Sequence, residues 1–329
     1  MFDDKVVLVT GGTGSFGRRF VSELLAEQKA AKIIIYSRDE LKQSEMMSRF
    51  SEAELRVLRF FIGDVRDKER LSLAARGVDI VIHAAAMKRV ESSEYNPIEA
   101  IKTNVLGAQN VIEASIAANV EKVVLLSTDK AVNPINLYGA TKLCADKLFV
   151  AANSYVGKER TRFSVVRYGN VLGSRGSVIP LFKEMKKSGT IKITDTQMTR
   201  FWITLEDGVK FVMACVERMQ GGEIFVPKIP SMKIVDMAST IAPDCEQEVI
   251  GIRPGEKLHE VMISNDDAVN TYEHQDFFEI VSPFKNLWSN VGKNLPSNGA
   301  LVSKDFVYSS DGNDKWLSSE DLIAKLGAL

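Results

Sequence analysis

Short apolar runs rich in β-branched residues punctuate the first two thirds of this chain: 5–10 (KVVLVT), 33–36 (IIIY), 59–62 (RFFI), 78–83 (VDIVIH), 123–127 (VVLLS), 163–167 (FSVVR) and 223–226 (EIFV). Runs of this length without clean alternation read as strands buried on both faces. Stretches with helical spacing lie between them, among them Phe20, Val21, Leu24 and Leu25, and residues 104–118. The alternation predicts a doubly wound α/β parallel sheet, Rossmann-like, covered by helices on both faces. After about Val171 the rhythm weakens, and Gly, Pro, Ser and Thr recur. Two excursions, 172–200 and 231–329, are expected to form a second, smaller lobe over the carboxyl edge of the sheet. Residues 1–171 and 201–230 would make the large domain. Residues 286–303 are the most loop-like, and no internal repeat is visible.

Composition narrows the class. The chain has 329 residues, 45% hydrophobic and 26% charged, as in an ordinary globular protein with a large core. A formal net charge of −1 gives no pull toward nucleic acid or an anionic membrane. No apolar run approaches the roughly 20 residues of a membrane span. The first strand begins too early to leave room for a signal peptide. Cys144, Cys215 and Cys245 are few and odd in number, so neither a disulfide framework nor a zinc site is expected. His83, His259 and His274 show no ligand spacing and read as structural. The expectation is a cytoplasmic protein without a metal.

The turn after the first strand reads Gly11-Gly12-Thr13-Gly14-Ser15-Phe16-Gly17. It satisfies both G-x-G-x-x-G and G-x-x-G-x-x-G. Glycines here permit a tight turn and bring backbone N–H groups to a pyrophosphate at a helix N-terminus. Three glycines can equally be only a turn, but the strand before and the helix after supply the context that binding needs. The second strand ends in Ser37, Arg38 and Asp39, with Lys42 close by. An acidic residue there suits the 2′-hydroxyl of NAD, whereas an Arg suits the 2′-phosphate of NADP. Ser37, Arg38 and Lys42 favour NADP; the bland alternative is a surface pair opening a helix. Asp64 and Val65 follow the third strand, near an adenine edge. Ala84 and Ala85 follow the fourth, where small residues let the backbone approach ribose and nicotinamide or simply pack closely.

Ser127-Thr128-Asp129-Lys130 precedes Tyr138 and Lys142, which sit four apart and share a helix face. A phenol ordinarily loses its proton near a pKa of about 10. A neighbouring ammonium and a cationic nicotinamide favour the phenolate and make it a usable base. Thr128 is placed to hydrogen-bond the hydroxyl being oxidised. Asp129 and Lys130 add a second acid and base that plain alcohol oxidation does not need, which points to an elimination step.

These motifs resemble the extended short-chain dehydrogenase/reductase superfamily. Within it, the chain resembles the UDP-N-acetylglucosamine 4,6-dehydratases that invert carbon 5, of the kind that feeds pseudaminic acid synthesis. The resemblance rests on 36–43 (YSRDELKQ), 61–67 (FIGDVRD), 127–131 (STDKA), 133–142 (NPINLYGATK), 167–170 (RYGN), 173–177 (GSRGS), 198–202 (MTRFW) and 251–260 (GIRPGEKLHE). It covers about residues 5–263. It implies that Tyr138 takes the carbon 4 hydroxyl proton while hydride passes to NADP, with Lys142 holding the ribose. Lys130 would remove the carbon 5 proton and Asp129 would protonate the departing carbon 6 hydroxyl. Lys130 must then be neutral, with burial and nearby cations pushing it down from a reference of about 10.4. The bland alternative is that Lys130 merely pairs with Asp129 or an anionic substrate. The resemblance further assigns Lys88, Arg175, Arg200 and Arg253 to the diphosphate, and Asn170, Gly176 and Ser177 to the same pocket, with Lys88 also near the cofactor. Glu256 would hold ribose hydroxyls. The resemblance also implies a homo-oligomer, although the sequence shows no interface signature, and UDP-N-acetylglucosamine is the expected substrate. A nucleotide-sugar epimerase of the same superfamily is the alternative, although a simple 4-epimerase has no task for Asp129 and Lys130. Arg89-Val90-Glu91-Ser92-Ser93 departs from the family pattern beside the expected sugar pocket.

Overall fold

The computed structural model describes residues 2–27, 30–157, 160–173, 178–284 and 298–327. Six parallel strands follow the predicted runs: β1 (Val6–Thr10), β2 (Lys32–Ser37), β3 (Leu58–Ile62), β4 (Ile80–His83), β5 (Lys122–Thr128) and β6 (Arg162–Tyr168). They lie in the order β3, β2, β1, β4, β5, β6. Ile224–Pro227 continues the sheet in parallel beside β6. The fold is therefore the doubly wound α/β sheet that the apolar runs imply.

Register aligns the chemistry. Thr10 lies level with Tyr36 on one side and His83 on the other, and Thr128 is level with Tyr168. The strand ends thus open on one edge, where ligands bind in such sheets. Helices Ser15–Glu27 and Leu205–Arg218 pack together as one layer, and Lys68–Ala74, Gly107–Ala117 and Leu137–Ala152 as another. The histidines are engaged in packing and polar contacts. His83 is buried, 2.7 Å from Thr10 Oγ1, and burial pushes it down to about 3. His259 meets Thr199 and His274 meets Glu279.

A second apolar cluster, including Leu172, Phe182, Ile191, Trp202, Met237 and Leu322, forms apart from the main core. Strand Thr199–Ile203 belongs to both: Phe201 and Ile203 face the main core, Trp202 the smaller one. One expectation needs correcting. Not all of 231–329 lies in the smaller lobe, because Phe277–Ile280, Thr271–Glu273 and Ala300–Leu301 extend the large sheet antiparallel beyond Ile224–Pro227. These strands are two to four residues long. They carry too little periodicity to announce themselves. Most of the loop-like stretch 286–303 falls outside the described residues.

Candidate active site

The carboxyl ends of the strands enclose a cavity of about 670 Å³. The glycine-rich turn forms its floor. Gly11 has φ +66°, and a Cβ there would sit 2.8 Å from the Ala85 nitrogen, so a side chain would close the gap between β1 and β4. The expected dinucleotide residues line this one cavity: Gly11, Thr13 to Gly17, Ser37, Arg38, Asp39, Lys42, Asp64, Val65, Ala84, Ala85 and Lys88. Its glycine-rich lining at the start of helix Ser15–Glu27 fits a dinucleotide. At the end of β2, Asp39 caps helix Glu40–Met47 by accepting from the Lys42 nitrogen, and its other oxygen pairs with Lys42 Nζ at 2.6 Å. Arg38, mostly exposed, stands 3.5 Å from Asp64. The carboxylate is thus spent on its own helix, leaving cations at the strand end.

The chemistry-bearing side chains come from the end of β5 and from helix Leu137–Ala152. Asn136 caps that helix through the Gly139 nitrogen, and Glu94 accepts from the Leu137 nitrogen. Glu94 lies on helix Val90–Tyr95, which the departing segment 89–93 opens. Gly139 packs against the Asp129–Ala131 turn so tightly that a Cβ would clash with the Lys130 carbonyl oxygen. Tyr138 and Lys142 are both buried and both line the cavity. The Thr128 hydroxyl donates to Asp129 Oδ1 at 2.9 Å, and Lys130 Nζ donates to the same oxygen at 3.0 Å. Lys130 Nζ also reaches Asn170 Oδ1 at 3.4 Å and Glu260 Oε1 at 3.4 Å.

The electrostatics differ from the sequence expectation at two groups. Burial pushes Tyr138 up to about 12, and the cation working against that rise is Lys130, helped by the Thr128 hydroxyl, rather than Lys142. Burial pushes Lys142 down to about 8, with Asp146 opposing. Burial also works against the charge on Lys130, but Asp129 and Glu260 together overcome it and hold this amine above its ordinary range. Without substrate, then, Lys130 is an ammonium in an ion pair, not the neutral amine that the sequence requires.

The substrate residues are placed unevenly. Lys88 and Asn170 line the cavity. Arg175, Gly176 and Ser177 lie outside the described residues. Arg200 is buried and spends its guanidinium on the carbonyls of Thr199, Lys257 and Leu258. Arg253 and Glu256 face each other at 3.8 Å and stand outside the cavity lining. Sequence reasoning assigned no role to Glu260, which closes the set around Lys130, nor to Asn104. The Asn104 amide holds the loop after β4 by accepting from the Met87 nitrogen and donating to its oxygen, and it donates to Thr141 Oγ1. Asn104 sits on a π-helical turn, Lys102–Leu106, a deviation from helical periodicity that often marks function.

Known proteins resemble this chain along most of its length. The profile of the polysaccharide biosynthesis protein family matches residues 7–282. A curated UDP-N-acetylglucosamine 4,6-dehydratase (inverting) from Campylobacter jejuni subsp. jejuni serotype O:23/36 (strain 81-176) is 58% identical over 98% of this chain and 97% of its own. A UDP-glucose 4-epimerase from Rickettsia canadensis (strain McKiel) is 42% identical over 85% and 84%. Among solved structures, Pen from Bacillus thuringiensis matches with a TM-score of 0.88 and 37% identity, covering 100% of this chain and 99% of that one.

Proposed function

The chain belongs to the family of the inverting UDP-N-acetylglucosamine 4,6-dehydratases, within the polysaccharide biosynthesis proteins, and we propose that it carries out that reaction. UDP-N-acetylglucosamine would become UDP-2-acetamido-2,6-dideoxy-β-L-arabino-hexos-4-ulose, with carbon 5 inverted. One observation supports this reading above others: Lys130 lines the cavity beside Tyr138, and its amine stands 3.0 Å from the carboxylate of Asp129, buried directly behind it. A 4-epimerase needs the tyrosine and lysine but has no use for that pair.

The glycine turn, Asp64 and Val65 would hold the dinucleotide, and Arg38 and Lys42 favour the 2′-phosphate of NADP. A bound nicotinamide would accept hydride from carbon 4 and return it to carbon 6. Tyr138 takes the carbon 4 hydroxyl proton, with Thr128 orienting that hydroxyl. The new ketone acidifies carbon 5. Lys130 removes the carbon 5 proton, and Asp129 delivers a proton to the carbon 6 hydroxyl as it leaves as water. Carbon 5 then takes a solvent-derived proton on the opposite face, which balances the hydroxyl proton that Tyr138 passes back to solvent.

The ion pair is compatible with these roles. Transfer of one proton from the ammonium to the carboxylate along the 3.0 Å contact yields a neutral amine and a carboxylic acid. The pair keeps the same number of protons, and a covering sugar that excludes water favours the uncharged form. Lys88 and Arg253, with Arg175, Gly176, Ser177 and Asn170, are assigned to the sugar diphosphate, and Glu256 to ribose. Arg200 serves by fixing the segment that carries Lys257 and Leu258. The same reading makes the protein a cytoplasmic homo-oligomer that acts on a soluble nucleotide sugar and supplies pseudaminic acid synthesis.

Proton NMR of UDP-N-acetylglucosamine incubated with the enzyme and NADP in heavy water tests the proposal. A new methyl signal with deuterium at carbon 5 and the inverted configuration is expected. A product that keeps its carbon 6 oxygen, or an unchanged spectrum, overturns it.

A further inference from the structure

Glu260 is 2% exposed, and its backbone is pinned by a reciprocal pair of hydrogen bonds with Ser310. Its Oε1 stands 3.4 Å from Lys130 Nζ and 4.0 Å from Arg200 Nε, and its Oε2 stands 3.7 Å from Lys257 Nζ. Among the described residues Oε2 has no hydrogen-bond partner. A buried carboxylate kept for packing alone would be costly in that state. Lys257 is itself committed, since its ammonium donates to the Val132 carbonyl at 2.6 Å. The groups facing Lys130 are Asp129 on its own turn, Tyr138 from helix Leu137–Ala152, Asn170 after β6, Arg200 from strand Thr199–Ile203, and Lys257 and Glu260 from the segment before strand Val261–Ile263.

We propose that Glu260 is a positioning residue for Lys130: it aims the amine in its neutral form and supplies the counter-charge when the carbon 5 proton arrives. The proposal rests on the reading of Lys130 as the base at carbon 5. Once Asp129 carries the proton destined for carbon 6, it no longer attracts Lys130. Glu260 is then the anion left beside the amine. It accepts one N–H and leaves the lone pair free for the sugar. When the carbon 5–hydrogen bond breaks, its electron pair stays on the sugar as an enolate conjugated to the carbon 4 ketone. The proton forms the third N–H bond of an ammonium that Glu260 stabilises, and Glu260 keeps its own charge throughout.

The test compares Glu260→Gln and Glu260→Asp with the wild-type holoenzyme in two readouts. In the first, acetic anhydride labels Lys130 across a pH series without substrate, and mass spectrometry gives the labelling midpoint. An anion beside an ammonium raises its pKa, so the Gln variant should label with a midpoint at lower pH, while Asp keeps it near wild type. In the second, the Gln variant should show kcat at least about tenfold lower, consistent with a misplaced general base. Its KM should stay within about threefold, and the pH profile of the Asp129–Lys130 pair should move toward acid. Asp should recover part of kcat. A midpoint and a pH profile that do not move in the Gln variant overturn the proposal. If the Gln variant does not fold, the Asp variant decides: lower kcat with an unmoved midpoint supports the role, and unchanged kcat removes it. A wild-type enzyme that makes no methyl product defeats the dehydratase reading instead, and the labelling midpoints report the Glu260–Lys130 coupling separately.

Discussion

Lys130 and Lys142 lie twelve positions apart in one cavity wall and are tuned in opposite directions. Asp129 and Glu260 flank Lys130 and keep it charged; Lys142 is buried with only Asp146 opposing its loss of charge. Lys130→Ala should abolish turnover while the nicotinamide dinucleotide still binds, measured by NMR and by fluorescence titration; substantial dehydratase activity would remove its proposed role as base. The Lys142 shift carries a stability consequence. With a folded-state value of about 8 against 10.5, the charged form costs the fold about 3 kcal/mol. Below pH 8 that cost is fully present. Between 8 and 10.5 the unfolded chain binds more protons, so stability climbs with pH and the cost fades. Lys142→Met should therefore unfold at higher urea than wild type at pH 7 in the cofactor-free protein. The gain should shrink toward pH 10, while activity is lost. Arg167, 3.4 Å from Asp146, keeps that carboxylate paired in the variant. Tyr138 and Lys142 were legible from spacing alone because the partnership lies within one helix. Glu260 was not: its contact with Lys130 spans 130 positions, and no local pattern encodes such a meeting. The pairing of Lys130 with its neighbour Asp129 was open from the sequence, but the second raising carboxylate, Glu260, was not, so the charged state could not be read locally.

At the level of elements, the parallel strands were readable because all but the partly exposed edge strand β3 are apolar runs with both faces covered. The short antiparallel strands after Thr271 were not, because they pair with one another and with Ile224–Pro227 rather than follow a pattern of their own. The junction that matters most to the site is the seat of helix Leu137–Ala152 on the Asp129–Ala131 turn. Glycine at position 139 permits that seat, and the Asn136 cap and Glu94 fix its angle. Gly139→Ala would force the helix and the turn apart. Overpacking of this kind costs about 1–3 kcal/mol. A displacement near 1 Å at the reacting groups can lower the rate by about a hundredfold. Thermal melting and kcat for Gly139→Ala should both fall. The adenine end, built on β1 to β3, should keep its affinity for the adenosine half of the dinucleotide. A variant with full activity would show that the close contact is dispensable.

Across the whole molecule, the cavity is lined by strand ends of the large sheet, while Glu260, Arg200 and Lys257 cluster around Lys130 outside that lining. The proposed set around Lys130 is complete only when the turn after β5 and the segment carrying Glu260 are seated together. Net charge and apolar content, readable from composition, bounded the class but said nothing of surface distribution. That distribution is uneven. Tyr95, Ile98, Ile101 and Leu106 are exposed on the consecutive helical segments Val90–Tyr95, Pro97–Ile101 and Lys102–Leu106. These exposed apolar side chains are where contacts of the proposed homo-oligomer are expected. Helix Val90–Tyr95 also carries Glu94, which braces the start of the helix bearing Tyr138. A second copy seated on this face would stabilise the brace and through it the site. Tyr95→Glu combined with Ile98→Asp should therefore reduce the particle mass measured by light scattering. The same variant should lower kcat, because Glu94 loses its support, while leaving the unfolding midpoint of the separated protomer within about 0.5 kcal/mol, as expected for surface substitutions. An unchanged particle mass would mean that copies of the chain do not meet on this face.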